Sequence, residues 1–278
     1  MNTTPTPADL HADLIAETAE RAAYSRRDAV KRAGLFGAAI AASPFALAAV
    51  AEKAYGQALP AAIRETLELA LTLEFLERDF YSGALASNVI PASERDVFEG
   101  ILQHERDHIA FIQPLLGLTG EGGRPPQGFD FTAGGRFNPF GDYQQFLILS
   151  EGFTNTGVRA YKGGAPNLMA NDTILQGALT IHSVEARHAS IVRRIRGQKG
   201  WIPTGKTTAP PNTIQAVFGP GTPATMFPDE SNTTQGGLNL SSTLSGFSAD
   251  QLVEAFDEPL DRATVLSIAA PFIVGDNP

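Results

Sequence analysis

The segments LQHERDHIAF (102–111) and IHSVEARHASIVR (181–193) share one pattern: in each, a glutamate precedes a histidine by three residues. Side chains three residues apart lie on one face of an α-helix. Isoleucines recur on that same face, so both glutamates stand within an apolar stripe. A buried carboxylate is costly unless an opposite charge neutralises it, and a metal ion would do so. The pairs are Glu105 with His108 and Glu185 with His188.

Two further helices each offer an acid on the matching face. Glu151 shares its side of the third helix with apolar residues and is the only acid of that helix beyond its cap. In the first helix, Glu74 lies at the edge of the apolar stripe and Glu77 points more centrally, so the angular count leaves both open. The order of one acid and one Glu-x-x-His pair, repeated once, predicts two half-sites that face each other across a bundle.

The residue types in this set indicate which metal it would bind. Four carboxylates and two imidazoles would hold two divalent ions with little net charge left over. Oxygen-rich ligands combined with imidazole favour iron or manganese over softer metals. The sequence therefore predicts a site for two Fe or Mn ions.

The spacing of apolar residues predicts an all-α fold. A stripe from Leu69 to Phe80 marks the first helix, and the second carries the first Glu-x-x-His pair. Residues 117–142, rich in Gly and Pro, read as a long connection. A third helix is expected over 143–161, ended by the breaker at 163–166, and a fourth over about 172–196. Two helices, a long crossover and two more helices make a ferritin-like four-helix bundle.

The bundle is expected to span residues 58–198. An export signal region at 1–51 precedes it, and an irregular C-terminal extension at 199–278 follows it. Within the extension, Ser248 and Asp261 are expected to cap two short helices.

The composition excludes several kinds of protein. The chain of 278 residues has no cysteine, which excludes thiol catalysis, disulfides and cysteine-ligated metal sites. Thirty acidic and 21 basic side chains give a net charge of −9, which argues against nucleic acid as a partner.

The N-terminal region has the features of an export signal. Arg26 and Arg27 precede an uncharged run, Ala33 to Ala51, that is rich in Ala and Gly. Basic residues before a short apolar run with small-residue cleavage motifs are typical of such a signal, and the paired arginines resemble the twin-arginine type. We expect export by this route to the periplasm or cell surface, with membrane association only through this segment.

The chain resembles the ferritin-like superfamily of di-iron carboxylate proteins, and within it the family related to plant desiccation-related proteins. The resemblance is carried by LEFLERDFY (73–81), LQHERDHIAF (102–111), SEGFTNTGVRAY (150–161), IHSVEARHASIVR (181–193) and AFDEPLDRATVLSIAAPFI (255–273). It implies that Glu105 and Glu185 bridge the two metals. His108 and His188 would then be the nitrogen ligands.

The resemblance also implies roles for three other residues. Glu74 and Glu151 would be the terminal carboxylates. Tyr81 matches the place where many such bundles keep a tyrosine near the metals, so it is a candidate for a redox or hydrogen-bonding role. Its position, seven residues after Glu74, favours Glu74 over Glu77.

The function expected from these features is that of an exported di-metal protein acting on O2 or peroxide, or oxidising iron, under stress. Ferroxidase and catalase-like activities both fit. The alternative is a non-enzymatic stress or surface protein whose bundle is a scaffold stabilised by metal. An oligomer is compatible with either reading.

A second alternative comes from residues 104–108, which read HERDH and fit the zinc-peptidase motif H-E-x-x-H with Glu105 as general base. That interpretation leaves the second Glu-x-x-His pair unexplained and needs a third ligand. His104 is expected at the edge of the bundle. His182 is expected as a hydrogen-bonded core residue more than as a ligand.

Overall fold

The computed structural model describes residues 59–202 and 215–275. The predicted signal region at 1–51 lies outside them. The predicted all-α bundle with one long crossover is confirmed. Its long helices are α1 (Ala61–Ser87), α2 (Arg95–Leu115), α3 (Tyr143–Leu168) and α4 (Asp172–Ile195).

The bundle is built from two helical hairpins joined through α1 and α3. α1 packs against α2 and α3, and α3 packs against α4. The predicted apolar stripe of α1 is buried from Leu69 to Phe80. The Phe80 ring lies 5.3 Å from that of Phe131 and 6.0 Å from that of Phe140, both in the connection between α2 and α3. This connection therefore covers one end of the core.

The expected break after residue 161 is wrong, because α3 continues to Leu168. The glycines in this segment serve close packing instead. A Cβ atom on Gly163 would lie 1.8 Å from the carbonyl oxygen of Leu260, and one on Gly164 would lie 2.8 Å from Thr66 Cγ2. Pro166 lies in the last turn of the helix, so the backbone hydrogen bond that it removes is close to the C-terminal end.

The described part of the C-terminal extension consists of short elements. These are α5 (Gln215–Phe218), β1 (Thr234–Gln235), β2 (Leu238–Asn239), α6 (Leu240–Thr243), α7 (Ala249–Val253), α8 (Arg262–Ala269) and a 3₁₀ turn (Ala270–Phe272). The strands pair antiparallel. Ser248 caps α7 and Asp261 caps α8, as predicted.

Arg159 of α3 fastens the extension to the bundle. Its side chain is 0% exposed, and its Nε donates to the carbonyl oxygen of Glu258 at 2.8 Å. The same nitrogen lies 2.9 Å from Glu230 Oε1. The guanidinium also donates to the carbonyl oxygens of Val217, Gly219, Pro228 and Pro259.

None of the helices within the described ranges has the length and apolarity needed to cross a membrane.

Candidate metal centre

Six acidic and imidazole side chains from three helices face one another inside the bundle. All are buried, with exposed fractions between 0 and 7%. α1 supplies Glu74 and Glu77, α2 supplies Glu105 and His108, and α4 supplies Glu185 and His188. We call these six residues the acid–histidine cluster.

The tightest part of the cluster surrounds His108. Its Nδ1 lies 3.0 Å from Glu74 Oε2 and 3.2 Å from Glu105 Oε2. It also lies 3.3 Å from Glu185 Oε1. Glu74, Glu105, His108 and Glu185 each offer a ligand atom within 4.8 Å of the others, so they could hold one metal ion together.

His188 marks a second position beside the first. Its Nδ1 lies 3.2 Å from Glu105 Oε1 and 3.6 Å from Glu185 Oε1. Glu105 and Glu185 thus contact both histidines. These two carboxylates stand between the two half-sites that the sequence predicted.

Glu77 is the sixth member of the cluster, and the sequence left its role open against Glu74. A Cβ atom added to Gly157 of α3 would lie 3.3 Å from Glu77 Oε1 and 3.2 Å from Glu185 Oε2. Both carboxylates therefore come up against the bare backbone of α3 at the same point. The structure brings Glu74 and Glu77 of α1 into the cluster together.

Several oxygens of the cluster lack hydrogen-bond partners among the described residues. They are Glu77 Oε2, Glu105 Oε1 and both side-chain oxygens of Glu185. Most buried polar atoms in proteins have a partner, and leaving one without is costly. Buried carboxylate oxygens in this state, grouped around two imidazoles, are the donor set expected of a metal site.

The comparison with known families agrees with this geometry. Residues 63–198 match the family model described as a ferritin-like domain. These residues have the fold of a ferritin-like helical bundle. The match includes both Glu-x-x-His pairs and the two α1 acids of the cluster, Glu74 and Glu77. The chain matches none of the curated proteins with which it was compared.

Burial alters the pKa values of the two acids that α1 contributes to the cluster. It raises the pKa of Glu74 to about 8, although contact with His108 acts in the opposite direction. Burial also raises the pKa of Glu77 well above its usual range, and repulsion by Glu185 and Glu105 adds to that effect. Without metal, both side chains therefore tend to hold a proton at neutral pH.

Mutual contacts shift the pKa values of Glu185 and the two histidines so that each favours its charged form. Burial alone would raise the pKa of Glu185, but its close contacts with His108 and His188 outweigh it and lower that pKa to about 2. Burial would lower the pKa of His188, yet its contacts with Glu105 and Glu185 raise it to about 9. The pKa of His108 is raised for the same reason. In the metal-free protein, the protons on His108 and His188 therefore supply the positive charge that metal ions would supply.

The structure does not bring Glu151 to the cluster, although the sequence placed it on the matching face. Its Oε2 accepts hydrogen bonds from Arg196 and from Gln198. Glu151 precedes Gly157 by six residues, which is about 9 Å along a helix. Six residues also turn a helix by about 600°, so Glu151 points about 120° away from Gly157 around the axis. Glu151 therefore differs from the cluster-facing position of α3 in both face and level.

Two tyrosines lie near the acid–histidine cluster. Tyr81 Oη, from α1, lies 2.8 Å from Ser150 Oγ in hydrogen-bond contact, and its catalytic role stays a prediction. Tyr161 of α3 donates a hydrogen bond directly to Glu74 Oε1. The sequence reasoning missed this contact. A signal was available, since Tyr161 follows Gly157 by one helical turn and ends the motif at 150–161.

The two other histidines within the described residues, His104 and His182, occupy different positions. Nδ1 of His104 lies 2.9 Å from His188 Nε2, and the rings stack at 5.1 Å between centroids. His104 therefore contacts His188 from outside the cluster. A zinc peptidase of the H-E-x-x-H type would instead need His104 as a metal ligand beside His108. His182 is partly buried, which lowers its pKa, and it hydrogen-bonds to the backbone of Val158. Both positions agree with the sequence-based expectations.

Proposed function

We propose that the acid–histidine cluster binds two iron or manganese ions and that the protein uses them on O2 or peroxide, or to oxidise Fe(II). The buried carboxylate oxygens without hydrogen-bond partners carry this proposal. Four carboxylates would balance the charge of two divalent ions, which removes the penalty of burying the acids together.

The proposed ligands are all six members of the cluster. Glu105 and Glu185 would be shared between the ions, because each contacts both His108 and His188. Glu77 would take the terminal place that the resemblance gave to Glu151. The ligand set is rich in carboxylate oxygen, which favours iron or manganese over zinc.

The protein would hold the ions in a dry site and orient their ligands. When bound, a pair of Fe(II) ions would supply two electrons to an oxidant. Tyr161 donates its hydroxyl proton to Glu74 in a hydrogen bond and fixes that carboxylate. His104 contacts the distal nitrogen of His188 and orients its ring.

A matched pair of variants tests the ligand set. Glu77→Gln should reduce the metal content from two ions per chain, because it removes a charged ligand. Glu151→Gln should still bind two, since Glu151 is engaged with Arg196. Metal analysis of both proteins after loading with Fe(II) or Mn(II) makes the comparison. Two ions in Glu77→Gln, or a loss confined to Glu151→Gln, would contradict the assignment.

Turnover separates the catalytic proposal from the scaffold alternative. Consumption of O2 or peroxide by the Fe(II)- or Mn(II)-loaded protein would support the first. Metal-dependent melting without any consumption would support a metal-stabilised scaffold instead.

We also propose that the protein is exported by the twin-arginine route and acts under stress such as desiccation. The basic pair and apolar run at 26–51 support export, and the resemblance described above supports the stress role. Replacing Arg26 and Arg27 together by Lys should retain the full chain inside the cell. Unchanged export of that variant would contradict the proposed route.

A further inference from the structure

A cavity of about 230 Å³ opens beside the acid–histidine cluster, between the long helices and the segment that follows them. Its wall is largely apolar. The lining includes Leu69, Leu73, Phe111, Leu168, Ala178 and Leu260. A cavity of about 150 Å³ lined by such side chains stays dry and takes up benzene, so this one has room for a substituted ring.

The inner end of the cavity lies one helical turn from the cluster on all four long helices. Four of its lining residues are each four positions away from a residue at the cluster, which is about 6 Å along a helix. They are Ala70 before Glu74, Ile112 after His108, Tyr161 after Gly157 and Ile181 before Glu185.

Tyr161 forms the boundary between the cavity and the cluster. Its ring belongs to the cavity wall, and its hydroxyl group donates to Glu74. A molecule in the cavity would therefore touch a residue that touches a proposed metal ligand.

The polar side chains of the wall leave no anchor for a charged molecule. Asn167 Nδ2 donates to Thr66 Oγ1 at 3.1 Å, and Thr66 in turn donates to the carbonyl oxygen of Ala62 at 2.8 Å. Glu65 and Arg262 are exposed, so they stand at the mouth. Their opposite charges favour neither an anion nor a cation.

We propose that this cavity binds a neutral, apolar organic molecule of about the size of a monosubstituted benzene ring. Burial of apolar surface would drive the binding, since the hydrogen-bonding capacity of the inner wall is already used within the protein. The inner end of such a molecule would lie about one helical turn away from the cluster. The cavity is formed by residues other than the proposed ligands, so it can be occupied whether or not metal is bound.

Fluorine NMR of the full chain with 4-fluorotoluene tests the proposal. We expect saturable binding, observed equally after treatment with a chelator, which separates this result from the outcome of any metal experiment. 4-Fluorobenzoate and 4-fluorobenzylamine should bind at least tenfold more weakly, because each would bury a charge. Absence of saturable binding, or tighter binding of either charged ring, would overturn the proposal.

Variants that fill the cavity locate the binding site. Ala178→Leu on α4 and Ala160→Leu on α3 each add a larger side chain to the wall, and each should weaken 4-fluorotoluene binding at least tenfold. Ala186→Leu on α4 is the matched control, since Ala186 does not line the cavity, and its affinity should be unchanged. Circular dichroism shows which of the two filled variants is folded. Unweakened binding in a folded filled variant would place the ligand elsewhere and refute the assignment.

Discussion

At the scale of single residues, Gly157 leaves the space beside α3 in which carboxylates of α1 and α4 approach each other. Gly157→Ala would favour the helix by about 1 kcal/mol, but its Cβ would stand 3.2 Å from Glu185 Oε2 and 3.3 Å from Glu77 Oε1. Both oxygens would have to move by a few tenths of an ångström. We expect at least a tenfold loss of affinity for Mn(II), measured by calorimetric titration, with the fold retained.

Gly152→Ala is the control for that prediction. It lies on the same helix, and an added Cβ there would meet nothing within 4 Å. This variant should gain up to about 1 kcal/mol of stability with an unchanged metal affinity. Equal affinities in the two variants would show that Gly157 does not shape the site.

The pKa values of the cluster predict that metal competes with protons. Burial raises the pKa of Glu74 to about 8, and contacts with two acids raise that of His188 to about 9. Both groups are therefore protonated in the metal-free protein below those values. Mn(II) affinity should rise as the pH increases from 6 to 8, with protons released to the buffer on binding. An affinity that is flat or falls over this range would contradict the predicted protonation.

The sequence predicted most of the cluster, and its failure has a geometric cause. Spacing within α2 and α4 alone fixed both Glu-x-x-His pairs, because residues three apart must share a face. Spacing alone did not fix which residue of α3 would face the cluster, and the predicted carboxylate, Glu151, does not reach it. Glu151 and Gly157 differ in level and in direction around α3, and only the packing of α3 against its neighbours sets which position meets the cluster.

At the scale of elements, the contact between α3 and the C-terminal extension depends on Arg159. Arg159→Met keeps much of the side-chain volume but leaves Glu230 buried without its 2.9 Å partner. Breaking a buried ion pair in this way typically costs about 3–5 kcal/mol. Urea unfolding should show a loss of that order, and limited proteolysis should release the 215–275 region faster.

Arg64→Met serves as the comparison for Arg159→Met. Arg64 lies 3.9 Å from Glu68 on the exposed side of α1, and exposed pairs contribute about 0–1 kcal/mol. Similar losses in the two variants would mean that Arg159 is not the anchor of the extension.

The helices themselves were predictable, but the reason for the glycines in α3 was not. Apolar periodicity and the caps at Ser248 and Asp261 are local signals, and the structure bears them out. Gly163 and Gly164 read as a helix break because nothing in the sequence reveals their neighbours. Leu260, which lies against Gly163, is almost a hundred positions away along the chain.

At the scale of the whole molecule, removal of metal should lower thermal stability. A ligand that binds only the folded state at 1,000 times its dissociation constant stabilises that state by about 4 kcal/mol. For a domain of this size that corresponds to about 10 °C in Tm. Calorimetry of the Mn(II)-loaded protein with and without chelator measures the difference.

A variant without the shared ligands provides the reference for this measurement. The double variant Glu105→Gln, Glu185→Gln should melt at the same temperature with or without Mn(II). A chelator effect that persists in this variant would place the stabilising metal outside the cluster.

The anchoring of Arg159 also limits how the protein can be trimmed. The family match stops at residue 198, yet the partners of the Arg159 guanidinium described above all lie beyond that position. A protein truncated at residue 198 would expose the apolar surface that the extension covers. It would also leave the Arg159 guanidinium without these partners. Such a product should be recovered in inclusion bodies, whereas a fragment that extends to residue 275 should remain in solution.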